Sequence, residues 1–267
     1  MIATERDQVR SAVERLEDLP ALPSVVMRLL ETSSHETVDA MAIAQVIESD
    51  QTLTARLLRL VNSSFYGFEE EITSVRRAVA SLGLNSVRCI ALGMGVARMF
   101  PVAEENAAGF SMVEFWKHSL ACAIAAQLLA GHTRLAVDKE EAFTAGLLHD
   151  LGKLVLRSCD RERYSEVVAE ARTTGAELLD VEMRTLGAGH VEAGKWLSEN
   201  WGLPQVFTQV IWLHHQPPGA VDLRSAAGPL VYLVQAADAV VRMMRVGSGG
   251  NDGVEGPPAA LLDHIET

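Results

Sequence analysis

The residues best suited to chemistry in this sequence begin with an adjacent pair, His149-Asp150, inside the run AFTAGLLHDLGKLVL. A neutral imidazole beside a carboxylate offers ligands for one shared ion, and the mixed donor type suits Mn, Fe, Zn or Mg. Lys153, four residues after His149, falls on the same side of a helix. Taken alone, such a pair is equally a histidine capped by its own neighbour. Five of the eight histidines, however, fall in order along the C-terminal lobe: His118 in EFWKHS, His149, His190 in GAGHVEAGKWL, and His214-His215 after a Trp-containing apolar stretch. Asp238 follows in VQAADAVV, where an unpaired buried carboxylate costs several kcal/mol, so it requires a cation. Cys89, Cys122 and Cys159 are odd in number, widely spaced and set in apolar helical stretches. They read as buried reduced thiols, and their positions leave thiolate out of the ion site.

The elements that must position these groups are all helices. Phe143, Leu147, Leu151 and Leu154 recur at core spacing, predicting one helix over 139–157 with His149 and Asp150 near the edge of its buried face. Further C-terminal helices are predicted over 113–130, 165–173, 175–186, 191–200, 204–214 and 228–246. N-terminal to them, Val9, Ala12, Val13 and Leu16 give an amphipathic helix over 6–19 that Pro20 stops. A second starts at Pro23, tolerated in a first turn. Thr37 and Asp50 are capping candidates for helices over 38–48 and 51–62, and Ser74 and Gly83 bracket another. The helix over 86–100 is apolar along much of its length, as for one packed by both lobes. A polar segment over 101–111 marks the boundary. The predicted domains are an N-terminal lobe, 1–105, a C-terminal lobe carrying the site, 106–246, and a mobile Gly- and Pro-rich tail, 247–267.

The chain has 267 residues, enough for two lobes with a substantial core. Hydrophobic residues at 48% and charged residues at 22% describe a packed globule. A net charge of −12 opposes general affinity for phosphate backbones. A helix-turn-helix reading of 37–62 has only Arg56 and Arg59 as basic residues on its second helix, so DNA binding is the weakest reading. No apolar run is long enough to cross a membrane and no signal peptide is recognisable, which predicts a cytoplasmic protein with no membrane partner. Trp116, Trp196, Trp201 and Trp212 read as core and rim packing. His35, His132 and His264 read as surface residues, Arg76, Arg77 and Arg88 as a solvated basic face, and the stretch from Asn62 to Gly67 as a tight corner. No internal repeat is present.

The order His, His-Asp, His, His-His, Asp resembles the ligand series of HD-superfamily metal-dependent phosphohydrolases, especially the HD-GYP branch. LPALPSVVMRLLE, IAQVIESDQTLTARLLRLVNSSFYG and ITSVRRAVASLGLNSVR, followed by FWKHS, HVEAGKWLSENWGLP and HHQP, resemble the HDOD domain, a helical signalling domain. The resemblance implies an all-α fold and one or two divalent metal ions. His118, His149, Asp150 and Asp238 would hold the first ion. His190, His214 and His215 would hold the second, with Asp150 bridging. Glu114, four residues before His118, is a further candidate ligand, and Lys153 matches a lysine that meets a substrate phosphate. Lys153 and Asp150 are therefore the catalytic candidates if the chain is an enzyme. Two ions about 3.5–4 Å apart suit phosphodiester hydrolysis of a nucleotide or cyclic dinucleotide. After His215 the chain reads Gln216-Pro217-Pro218-Gly219-Ala220, without the glycine-tyrosine-proline signature of cyclic-di-GMP phosphodiesterases. The resemblance thus implies a regulatory module whose partners are signalling proteins, with a metal-dependent phosphohydrolase as the alternative.

Overall fold

The computed structural model describes residues 5–14, 23–31, 40–64, 66–100, 109–217 and 219–250, and among these every regular element is a helix. The chain divides into two compact units, Leu19–Pro101 and a second that combines Met1–Asp18 with Val102–Thr267. The first helix, α1 (Glu5–Glu14), therefore belongs with the C-terminal unit, not with the lobe that a division at residue 105 assigns it to. Thr37, His35 and His264 lie outside the described residues.

The N-terminal unit holds α2 (Ser24–Glu31), α3 (Ala40–Glu48), α4 (Gln51–Val61), α5 (Val75–Leu82) and α6 (Leu84–Met99). Val26, Leu29, Ile43, Ile47, Leu57 and Val61 are fully buried and supply its core. Capping fixes the helix starts. Asp50 accepts from Leu53 N at 3.0 Å and Ser74 from Arg77 N at 3.2 Å, each satisfying a donor that the first turn leaves open. Asn62 closes the corner after α4, accepting from Ile72 N at 2.7 Å and donating to Ile72 O at 2.9 Å. α6 packs against α2, α3, α4 and α5 of its own unit. That surround corrects the reading of Arg88 as solvated: it is buried on α6 beside Val87 and Ala91, while Arg76 and Arg77 are exposed.

The C-terminal unit adds α7 (Met112–Ala130), α8 (Lys139–Leu148), α9 (Leu151–Cys159), α10 (Arg161–Thr174), α11 (Leu178–Leu186), α12 (His190–Asn200), α13 (Gln205–Leu213) and α14 (Gly228–Met243). α7 packs against α8 and α14, and α12 against α9 and α13, while α1 lies on α9 and α12 with Arg6 bonded to Glu192 at 2.6 Å. The single helix expected over 139–157 is two. Asp150, at φ −99° and ψ 9°, leaves helical geometry and starts α9. The break puts His149 and Asp150 inside the unit, each only 1% exposed, and not at the edge of a buried face. Among the described residues, no helix is long and apolar enough to cross a membrane.

Candidate metal centre

Six helices deliver side chains to one pocket. α7 presents His118 on its buried side with Phe115 and Ser119, and its start is capped by Ser111, which accepts from Glu114 N at 3.3 Å. The α8–α9 break supplies His149, Asp150 and Lys153. His190 is the first residue of α12, His214 caps the end of α13 with His215 following, and Asp238 lies within α14. α9 and α12 meet at two glycines. A methyl group on Gly152 would lie 1.7 Å from His190 O, and one on Gly194 would lie 2.6 Å from Ile211 Cγ2. Only a bare backbone permits this approach, which brings the starts of both helices, and so Asp150 and His190, together.

Asp150 sits at the middle. Its Oδ2 is 3.3 Å from His149 Nε2, 3.7 Å from His118 Nε2 and 2.6 Å from Lys153 Nζ. Its Oδ1 is 3.6 Å from His190 Nε2 and 3.5 Å from His214 Nε2. The two oxygens of one carboxylate therefore face two groups of imidazoles. His118 Nε2 is also 3.1 Å from Asp238 Oδ1, and Arg242 Nε stands 3.2 Å from Asp238 Oδ2, so the buried Asp238 charge has a guanidinium partner on its own helix. The structure brings together His118, His149, Asp150, Lys153, His190, His214, His215 and Asp238. Glu114 is the exception: it is about two-fifths exposed and accepts from Lys117 Nζ at 2.6 Å, away from the pocket.

Three of the imidazoles are anchored by oxygen acceptors at Nδ1 rather than by one another. His149 Nδ1 bonds Gly146 O at 2.7 Å, His214 Nδ1 bonds Ile211 O at 2.9 Å, and His190 Nδ1 bonds Glu182 Oε2 at 2.5 Å. Because an oxygen acceptor takes the Nδ1 proton, the neutral ring turns its Nε2 lone pair inward. Burial pushes His190, His214 and His215 below the ordinary histidine value, which keeps them neutral. Burial acts the same way on His149, but the Asp150 charge prevails and raises it. Burial also opposes ionisation of Asp150, yet His149 and Lys153 hold it well below the usual carboxylate range. His149 Nε2, His190 Nε2, His214 Nε2 and Asp150 Oδ1 are buried without a well-aligned hydrogen bond. Each such atom costs about 1–3 kcal/mol, and lone pairs facing a carboxylate oxygen at these distances repel unless a proton or a metal cation lies between them. The donor atoms fall into two sets, each within 4.8 Å: His118, Cys122, His149 and Asp238, and then Asp150, His190, His214 and His215. The residues fit one or two divalent ions.

Three features escaped the sequence reading. Cys122, one turn after His118 on α7, has its Sγ 3.5 Å from His118 Nε2, which overturns the exclusion of sulfur from the site. The i to i+4 spacing carried that signal, and the wide separation of the cysteines from one another did not bear on it. Glu182 is fully buried on α11, where it accepts from Tyr164 Oη at 2.9 Å and His190 N at 2.7 Å. Burial pushes its carboxyl up to about 7, against the pull of the His190 N–H. Its sign in the sequence was a glutamate at core spacing with Leu178, Val181 and Leu186. The third is a roof. Gly249 is buried, and a methyl group there would lie 2.9 Å from Lys153 Nζ, 3.1 Å from Asp150 Oδ2 and 3.3 Å from His118 Cδ2. Ser248 N donates to Glu114 O at 3.1 Å, and Arg172 ties Ser248 Oγ, at 3.1 Å, and Gly109 O to the same edge. Residues 247–250, expected as the start of a mobile tail, are thus packed onto the centre.

An all-helical unit with a buried histidine and aspartate centre of this order is the architecture that the motifs of the sequence imply. The chain belongs to the HDOD domain family, whose match covers residues 19–217. An uncharacterised protein of Treponema pallidum is 27% identical over 255 residues, covering 94% of this chain and 47% of its own length. The cyclic di-GMP phosphodiesterase CdgJ of Vibrio cholerae is 27% identical over 137 residues, 51% of this chain and 30% of that protein. The chain therefore spans less than half the length of these relatives. A crystal structure from Marinobacter aquaeolei, provisionally named a signal transduction protein, superposes with a TM-score of 0.82 at 25% identity, over 97% of this chain and 59% of that one.

Proposed function

We propose that this protein is an HDOD-type signalling module that acts through protein contacts, with one or two divalent ions bound in its C-terminal unit to stabilise the fold. The observation that carries this reading is enclosure. Asp150 is 1% exposed and Lys153 3%, and Gly249 lies close over both, so among the described residues they are shielded from a phosphate. Lys153 is already committed to Asp150 at 2.6 Å. His118, His149 and Asp238 would hold one ion and His190, His214 and His215 the other, with Asp150 between. The likeness to a structure provisionally named for signal transduction supports the same reading.

The second reading is a metal-dependent phosphohydrolase, favoured by the completeness of the donor set and by the similarity to CdgJ over half the chain. When bound, a divalent ion would supply Lewis acidity and lower the pKa of its water. The chain's own contribution would be Lys153, as the positive group beside Asp150, and the neutral imidazoles that turn their Nε2 atoms inward. Two measurements separate the readings. Elemental analysis of the protein from cells supplied with Mn, Fe and Zn is expected to find metal, and a metal-free product would count against the centre. Assays of the metal-loaded chain against cyclic dinucleotides and nucleotide monophosphates are expected to show no turnover. Turnover that disappears in His149→Ala would establish the enzyme instead. In-cell crosslinking of the wild-type chain is expected to capture a protein partner, and failure to capture one would count against the signalling reading.

A further inference from the structure

The two halves of the centre differ in one donor. We infer that Cys122 is a metal ligand, its thiolate completing a site with His118, His149 and Asp238, so that one ion is bound through sulfur and the other through nitrogen and oxygen alone. The inference rests on the metal reading above and goes beyond it to the chemistry of one half.

Distances carry it first. A tetrahedral Zn-type ion with a nitrogen at about 2.05 Å and a sulfur at about 2.3 Å holds those two atoms about 3.5 Å apart. The Cys122 Sγ to His118 Nε2 separation is 3.5 Å. The same geometry puts nitrogen and oxygen ligands about 3.3 Å apart, and His118 Nε2 lies 3.1 Å from Asp238 Oδ1. His149 Nε2, the fourth donor, is fully buried, has no well-aligned hydrogen bond and lies within 4.8 Å of the other three. This buried nitrogen is an independent observation that points to a cation ligand in this half.

Placement carries it next. Cys122 is 0% exposed and shares with His118 the inner face of α7, one turn along. Binding balances simply: the thiol gives up its proton to solvent as the S–M bond forms, and no redox change occurs. Cys89 lies in the other unit, and Cys159 ends α9 partly exposed, so neither stands in for Cys122. A soft sulfur in one half and three imidazoles with a carboxylate in the other give the two halves different preferences. The sulfur half favours Zn or Co, while the other half also accepts Fe and Mn.

The test is cobalt titration of the metal-stripped full chain, followed by absorption. The expected result is a near-ultraviolet sulfur-to-cobalt charge-transfer band beside the visible ligand-field bands. The near-ultraviolet band should vanish in Cys122→Ser and Cys122→Ala and persist in Cys89→Ser, with far-ultraviolet circular dichroism reporting the fold of each variant. Should both Cys122 variants fail to fold, the wild-type spectrum still decides. Visible bands without a sulfur band in wild type would overturn the ligand while leaving the metal reading intact. A chain that takes up no cobalt would overturn both.

Discussion

At the scale of single residues, Glu182 has the clearest consequence. It touches no candidate ion position, yet it fixes His190 twice, through the backbone N–H and through Nδ1. Glu182→Gln keeps the volume and removes the charge that orients the ring. Metal affinity of the half containing His190 is expected to fall about 10- to 100-fold, as for other carboxylates behind a histidine ligand. Competition with a chromophoric chelator measures it, and an unchanged affinity would relegate Glu182 to packing. The histidines and aspartates of the centre were legible in the sequence because their types are rarely buried without a reason and they recur in one order. Glu182 and Cys122 were not. A lone glutamate in an apolar stripe and a lone cysteine in a helix are each usually innocent: one turn of helix from His118 was the single local sign for Cys122, and only the fold reveals the imidazole beside Glu182.

At the scale of elements, the glycine crossing of α9 and α12 positions the site. Gly152→Ala puts a methyl group into His190 O, and overpacking of this kind costs about 1–3 kcal/mol or more. Urea denaturation is expected to show that loss together with weakened metal binding, since the starts of both helices must part; a destabilised variant with wild-type affinity would separate crossing from site. In the N-terminal unit, the Leu53 N–H, and Arg98 at 2.9 Å against the pull of burial, hold Asp50 below the usual carboxylate value. Asp50→Ala is expected to cost about 1 kcal/mol at neutral pH through the lost cap. Because the folded-state pKa is depressed, the carboxylate's contribution is complete above about pH 4 and disappears as pH falls through the lower folded value. Denaturation midpoints of wild type and Asp50→Ala should therefore converge in acid. The caps at Asp50 and Ser74 were readable from local sequence. The α8–α9 break was not, because Phe143, Leu147, Leu151 and Leu154 keep helical spacing straight across it.

At the scale of the whole molecule, the chain is two units of unequal chemistry, and the candidate metal centre belongs wholly to one of them. An ion present at about a hundred times its dissociation constant adds about 2.7 kcal/mol to the fold that binds it. Chelation is expected to lower amide hydrogen-exchange protection in α7, α9 and α12 and to leave α4 and α5 unchanged; an equal loss in both units would mean that stability is shared between them. The helical class was legible from periodicity alone, whereas the membership of α1 depends on distant partners, such as Glu192, 186 residues from Arg6, that no local pattern announces. The stretch over Lys153 is built from peptide groups, and residues 251–267 continue from it without interruption. Cutting the chain after Val246 removes that cover and should let a chelator strip a bound ion faster, a change that stopped-flow fluorescence would register as a rate.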